Sequence, residues 1–505
     1  MPGKTEKEES KTMKQYCFNV ANDAENANIT VSAGALESVN VVFESLGLNP
    51  LLDSMKRDQG MRVSDAVKAL VAYKMTTDGL SVRRFDKFLS DPRYRDVYSL
   101  KNDCDPKSLY RICDRLGANI DAVVNHTNTV LKEQYGVDYR IIYEDWTGIF
   151  FESRTTNIIR FGHTKDHRPD RPQVTVGLNV DAGSGMNCGL TVRAGNVLDV
   201  THFKGTFMQI ERFMGPDSLI VFDAGGYSAE NGRLVVQHGH DFLTRPQTNG
   251  SDLALFNDPN TIFEEVEEGM WCVKTTGNLG YTRYNFFSMK KYGDSLDYYL
   301  RKAERDHAEM KDIRASIEAG KQPPKKFGCP NVFVGTKLSY VFRKGWERMN
   351  EREAIVWAVR RMITGREGKF TLLSSRDMTP SEALSVYRSR NGAESSFKAL
   401  KNSIDWRPAR CTGDDAVKGR IMISYLVLTV LSFIRYRCPE LVRTGNEIML
   451  EKLRSFSVTV IYDRGAEKRR IYSNYNHVIG SVRGVFGSFM RPIVQPEACL
   501  NRVKR

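Results

Sequence analysis

Between residues 139 and 247, short apolar stretches alternate with turn residues and helical stretches, and acids stand at the ends of the apolar runs. No other feature restricts the fold so tightly. Tyr139–Phe151 is rich in β-formers and carries Tyr143-Glu144-Asp145-Trp146-Thr147-Gly148. Gln173–Asp181 and Leu190–Arg193 read as two more strands, with Gly and Asn at the turns. Residues 206–214 read as a helix, and Ser218–Phe222 is a compact apolar strand ending in Asp223-Ala224-Gly225-Gly226. Ser228 can cap a helix running to about Gln237, and Asp241–Thr244 gives another short strand. Three strands, a helix, a strand, a helix and a strand make an α/β sheet with its acids at strand ends.

The flanking regions read differently. Residues 1–14 are charged and lack aromatics, as a disordered arm would be. From about residue 30 to 137 the periodicity is helical, and residues 15–137 read as an all-α, DNA-binding domain. Ser64 is placed to cap an amphipathic helix over Asp65–Met75, in which Val67, Leu70, Val71 and the stem of Lys74 share a face. A short helix over Val82–Leu89 precedes a turn at Ser90-Asp91-Pro92, and Asp105-Pro106 opens a further helix. That last helix would direct Lys107, Tyr110, Arg111 and Arg115 outward. It resembles either the recognition helix of a helix-turn-helix or an ordinary bundle member with a solvated basic face.

Residues 248–368 interrupt the α/β pattern and read as an inserted subdomain. They hold strand-like stretches at Met270–Thr275, Tyr281–Ser288 and Val332–Phe342, and a charged helix near Leu296–Ala319 that ends at Lys321–Lys326. The α/β texture resumes at strand Lys369–Ser374 and continues to 440. The domain reading is therefore 138–247 and 369–440 as the two parts of one core. Residues 441–505 have no assigned role.

Thr379-Pro380-Ser381-Glu382 is a helix start, with Thr379 as cap, Pro at the first position and Glu at the third. The helix that follows contains Tyr387, Arg390, Glu394 and Lys401. At about 100° per residue, all four fall within an arc of roughly 60°. Val386, Ala393, Phe397, Leu400 and Ile404 form the adjoining apolar stripe. Such a helix buries one side and presents, on the next, a carboxylate between two cations and a phenol. The rival reading is a solvated charged face.

On these residues the chain resembles a DDE transposase of a prokaryotic insertion sequence, in the group marked by a Tyr–Arg–Glu–Lys helix and a β-rich insertion. The resemblance covers about 139–436 and extends loosely to the N-terminal helices. It aligns Asp145, Asp223 and Glu394 with the three catalytic acids, at separations of 78 (223 − 145) and 171 (394 − 223) residues. The fold implied is α/β: a ribonuclease-H-like catalytic core, a β-rich inserted subdomain and an N-terminal all-α domain. The activity implied is cleavage of transposon ends and their joining to target DNA by two-metal phosphodiester hydrolysis and transesterification. Two Mg²⁺ ions, with Mn²⁺ as substitute, would be held by the three carboxylates. Tyr387, Arg390 and Lys401 would hold phosphates near the scissile position. Double-stranded DNA, as terminal inverted repeats and as target, would be the partner of a homodimer on paired ends. Two rivals are kept: an inactive end-binding protein, and a related nuclease without strand transfer.

Composition agrees with a polyanionic partner. Lys and Arg number 74 against 61 Asp and Glu, a net charge of +13 over 505 residues. The N-terminus, MPGKTEKEES, lacks the apolar stretch of a secretory signal, so a cytoplasmic chain is expected; the resemblance implies a prokaryotic, nucleoid-associated one. The longest mostly apolar run, Ile421 to Ile434, is short of a bilayer span and reads as a buried core helix. Nine cysteines without a CxxC pair read as reduced core thiols. His163 and His167 form an HxxxH, which reads as loop rather than metal pair because two prolines follow. His238 and His240 read as core or surface. Trp146, Trp271 and Trp346 could stack on an unpaired base; relatives of the group resembled use an aromatic in the insertion to trap a flipped base, and Trp271 is the choice here, with a core tryptophan as the alternative.

Overall fold

A computed structural model describes residues 28–56, 60–76, 85, 89, 91–100, 106–152, 156–162, 169–277, 279–320, 350–390, 413–442, 444–464, 466–478 and 482–485. The expected arm 1–14, the strand Val332–Phe342, the helix stop at Lys321–Lys326 and the residues His163, His167 and Trp346 lie outside them, as do Glu394 and Lys401.

The fold is α/β. Its centre is a nine-stranded mixed sheet. In chain order the strands are β2 (Ile141–Phe150), β3 (Gln173–Asp181), β4 (Asn187–Ala194), β5 (Leu219–Phe222), β6 (Asp241–Thr244), β7 (Glu264–Glu267), β8 (Met270–Thr276), β9 (Thr282–Ser288) and β10 (Lys369–Ser374). Across the sheet they run β4-β3-β2-β5-β6-β10-β9-β8-β7. Only β2, β5 and β6 are mutually parallel. β5 and β6 end immediately before Asp223 and Arg245, but β2 runs on to Phe150, so Asp145 lies within its strand and not at a strand end as expected.

Each parallel pair needs a crossover. Helix Asp199–Glu211 provides the first and packs on β2, β3 and β4; helix Ala229–Gln237 provides the second and packs on β6. Ser228 caps the latter as expected, its Oγ accepting from the Asn231 N–H at 3.0 Å. The former begins well before residue 206, because Phe203, Phe207 and Ile210 supply its buried face.

Residues 248–368 contribute strands β7, β8 and β9 to the same sheet, joined through the β9–β10 pairing from Lys369↔Phe287 to Ser374↔Thr282. The long charged helix spans Met289–Glu318.

The N-terminal region is mainly helical, with helices Ala33–Ser45, Leu48–Ser54, Val63–Thr76, Pro92–Val97, Pro106–Ala118 and Ile120–Tyr135. It also contains a strand, β1 (Ile29–Ser32), so the all-α expectation needs correcting. That strand pairs antiparallel with β11 (Ser457–Asp463), which pairs with β12 (Ala466–Ser473).

Two cap expectations also change. The helix expected to start after Ser64 starts at Val63, because the Asp53 carboxylate, from outside the helix, accepts the Ser64 N–H at 2.9 Å. Asp91-Pro92 is a helix start rather than a turn, with Asp91 accepting the Arg93 N–H at 3.0 Å.

The apolar run noted in the sequence forms helix Asp414–Arg437, long and apolar enough to cross a bilayer but almost wholly buried inside the fold. It packs most extensively on helix Pro106–Ala118. Glycines set that approach. A Cβ on Gly419 would stand 1.8 Å from the Cys113 carbonyl oxygen, and one on Gly117 would stand 1.9 Å from that of Asp415. Cys113, Cys188, Cys272 and Cys438 are all buried free thiols.

Candidate active site

Asp145 and Asp223 are brought together by strand register. Glu144 lies opposite Phe222, and Phe222 opposite Thr244. The next residues on the three parallel strands are Asp145, Asp223 and Arg245, so these form one row. Neighbouring strands are about 4.8 Å apart, which puts two carboxylates side by side with a guanidinium beyond them.

Local bonds hold both acids. The Trp146 N–H donates to Asp145 Oδ1 at 2.8 Å, while the Gly225 and Gly226 N–H groups donate to Asp223 Oδ1 at 3.0 and 3.4 Å. The Thr244 hydroxyl donates to the Asp223 carbonyl at 3.2 Å and ties the loop to β6. Trp146 itself is buried, and its indole N–H donates to Thr206 Oγ1 at 3.1 Å. The ring lies against the Asp223 loop so closely that a Cβ on Gly226 would meet it at 2.6 Å. Trp146 is thus a core residue supporting both acids and not a base-stacking surface.

Glu144, adjacent in sequence, has the opposite fate. Strand alternation turns it away from Asp145, and it is fully buried with no hydrogen bond to either carboxylate oxygen. Burial, and then the charge of Asp145, pushes its carboxyl well above the usual range. Glu144 is therefore a core group whose charged form is disfavoured, and Asp145 is the less buried acid of the pair.

Over the row lies helix Pro380–Ser389. Its start is the expected capping box: Thr379 Oγ1 accepts the Glu382 N–H at 3.2 Å, and Glu382 accepts the Thr379 N–H at 2.9 Å. Tyr143, on the same face of β2 as Asp145, bonds Ser389 at the far end. Tyr387 and Arg390 follow on that end, with the Arg390 guanidinium carbon 5.5 Å from the Tyr387 ring centroid. Burial raises the Tyr387 phenol. Arg390 and Arg245 pull the other way, and the charges of Asp223 and Asp145 add to the rise. Tyr387 therefore sits within electrostatic reach of all four groups and remains a hydrogen-bond donor at neutral pH.

Carboxylates side by side on adjacent strands are hard oxygen donors of the type that holds Mg²⁺ or Mn²⁺. Among the described residues they are not joined by a further His, Cys, Asp or Glu in a group of three.

The remaining expected residues are spread out. Trp271 is on β8, four strands from β5 and so about 19 Å away, half-buried and stacked on Phe287 with ring centroids 6.0 Å apart. Lys107 and Arg111 are exposed on helix Pro106–Ala118, whereas Arg115 donates to the Met55 carbonyl at 3.0 Å and ends helix Leu48–Ser54. His238 pairs with Glu211 at 3.0 Å, and His240 is buried nearby.

Sequence reasoning missed Arg245. The strand-end rule that selected the acids points equally to the residue after β6, but it was applied to carboxylates alone. It also missed the ion pair between Arg388 and Glu267 of β7, with Nη1 to Oε2 at 2.7 Å, since no spacing rule joins residues 121 positions apart.

A family model described as Transposase DDE domain matches residues 138–430. No curated protein matches the chain. A solved structure, the cryo-EM structure of a piggyBac transposase synaptic complex with hairpin DNA, aligns over 93% of this chain and 83% of its own at 10% identity and a TM-score of 0.39. A likeness that slight supports no argument about this chain.

Proposed function

The chain belongs to the DDE transposases, and from that premise we propose that it cuts transposon ends and joins them to target DNA. The observation that carries the reading is the shared register of Asp145 and Asp223 on adjacent parallel strands, beneath the helix end bearing Tyr387 and Arg390. The narrower assignment is to the insertion-sequence group with a Tyr–Arg–Glu–Lys helix, and Glu394 is its third acid.

Asp145, Asp223 and Glu394 would hold two Mg²⁺ ions, which supply Lewis-acid stabilisation to the attacking and leaving oxygens of an in-line displacement. The protein's own groups supply position. Backbone N–H groups fix one oxygen of each aspartate, so the carboxylates reach DNA already oriented. Tyr387, with its proton retained, donates to a phosphate oxygen, and Arg390 and Lys401 add charge-assisted contacts to flanking phosphates. Lys107 and Arg111 offer further cations for duplex DNA, and Trp271 an aromatic face for a displaced base. The working unit is a homodimer on paired ends.

The test uses duplex DNA from the boundaries of the element that encodes the chain. In Mg²⁺ or Mn²⁺ the wild type nicks the end, and a pre-cut end is joined to a second duplex. Asp145→Ala or Glu394→Gln lowers both by at least about 10³-fold while leaving DNA binding intact. Binding without cleavage by the wild type would mean an inactive end-binding protein. Cleavage without joining of the pre-cut end would mean a nuclease.

A further inference from the structure

Arg245 ends the row begun by Asp145 and Asp223, exposed just past the end of β6, which pairs with β5 and β10 inside the sheet. Its guanidinium carbon lies 5.5 Å from the centroid of the Phe370 ring, and the Lys291 ammonium lies 4.0 Å from the same centroid. Phe370 is buried and stacked on Phe286 at 5.0 Å, so the platform under both cations is rigid. Neither Arg245 nor Lys291 forms an ion pair with a described carboxylate. Arg388, whose charge also acts on Lys291, already holds Glu267.

Gathering cations on one apolar ring is unfavourable in the absence of an anion. The Lys291 ammonium is lowered from its ordinary range, first by desolvation against the ring and then by Arg245 and Arg388. Cation–π attraction of about 0.5–1 kcal/mol per contact at exposed sites offsets part of that cost. The Arg388–Glu267 pair shows that acids are available to this surface, yet none is turned toward Arg245 or Lys291. Arg245 follows β6, one strand from Asp223, and Lys291 lies in the first turn of the helix after β9, so both stand on the same side of the carboxylates.

We propose that Arg245 and Lys291, mounted on Phe370, seat a backbone phosphate of the transposon-end strand next to the scissile one. Arg245 supplies a planar fork for two phosphate oxygens, and Lys291 a point charge behind it. The seat fixes the strand's register over the acids, so it acts before and during cleavage. This assignment rests on the proposed transposase reading and adds residues to its DNA site.

The experiment is phosphate interference combined with salt titration. End duplexes carrying a single neutral methylphosphonate, walked across the cleavage site, are bound and cut by the wild type, Arg245→Ala, Arg245→Lys and Lys291→Gln. One neutral position beside the scissile phosphate should weaken wild-type binding about 10-fold and leave Arg245→Ala unaffected, because the partner cation is already gone. The slope of log affinity against log salt should fall by about one for Arg245→Ala. Arg245→Lys should restore the slope but not the full cleavage rate, a split that a merely structural role would not produce. Lys468→Ala, at an exposed site on β12, serves as the neutral control.

An unchanged slope and interference map in a folded Arg245→Ala protein would overturn the proposal, as would an Arg245→Lys protein that cleaves at the full wild-type rate. So would a map that shifts only with methylphosphonates in the target duplex. A wild type that neither binds nor cuts end DNA in either metal sinks the transposase reading and this one together. An active wild type with unaffected variants sinks this one alone.

Discussion

Two helices of this molecule are anchored in opposite ways. Helix Asp414–Arg437 is buried along nearly its whole length and locked against Pro106–Ala118 by glycines that leave no room for a methyl group. Helix Pro380–Ser389, which leads to Tyr387 and Arg390, buries only Ala383 and Leu384. It is held by a capping box, by Tyr143 and by the exposed Arg388–Glu267 bridge. Apolar packing fixes a frame that has one arrangement. Polar surface contacts fix a helix whose side chains must exchange their partners for DNA, and they can do so at small cost. The same division runs through β2, where Glu144 is sealed in the frame and Asp145 faces the site.

Attacking the frame should have the largest effect. Gly419→Val drives a branched side chain into the Cys113 carbonyl and should cost more than about 4 kcal/mol, leaving no cooperative thermal transition. A variant that melts within a few degrees of the wild type would mean the two helices are not locked.

Next comes the junction of frame and site. Gly226→Ala pushes its methyl against the Trp146 indole, costing about 1–3 kcal/mol, but it should depress cleavage more than stability because the displaced loop carries Asp223. Parallel melting and cleavage assays measure the two separately.

Acid should reveal the frame's histidine. His202 is buried, its Nε2 sits 2.8 Å from Thr191 Oγ1, and burial followed by the charge of Arg193 lowers it to about 3. The folded state thus binds its proton more weakly than the unfolded chain, whose histidine titrates near 6.5. The stability concerned is fully present above about pH 6.5. It falls by about 1.4 kcal/mol per pH unit between there and about pH 3. His202→Gln should flatten that part of a stability–pH curve measured by denaturant unfolding.

The smallest effect belongs to the site helix. Glu267→Ala should change stability by less than about 1 kcal/mol, since the pair is exposed on both sides. The same variant should make cleavage more sensitive to salt, a shift readable in rates at low and moderate ionic strength.

Much of this was legible beforehand. The strands Gln173–Asp181, Asp241–Thr244 and Lys369–Ser374 have the bounds read from their residues, because β-branched runs closed by turn formers leave few alternatives. The Thr379 box was readable for the same local reason. The Ser64 cap was misread because its place is taken by Asp53, which no local rule connects to it.

At Glu144-Asp145 the sequence offered two adjacent acids, and the resemblance chose between them; only burial and alternation give the physical reason for that choice. Arg245 and Glu267 gained their roles from strand order and side-chain proximity. The sequence by itself determined which segments form strands and helices and which residue types could bear the chemistry, since those properties depend on neighbours a few residues away. The tertiary structure decided which acid faces outward, which cation stands beside it and which helix is locked. Those outcomes depend on register and packing between segments tens to hundreds of residues apart.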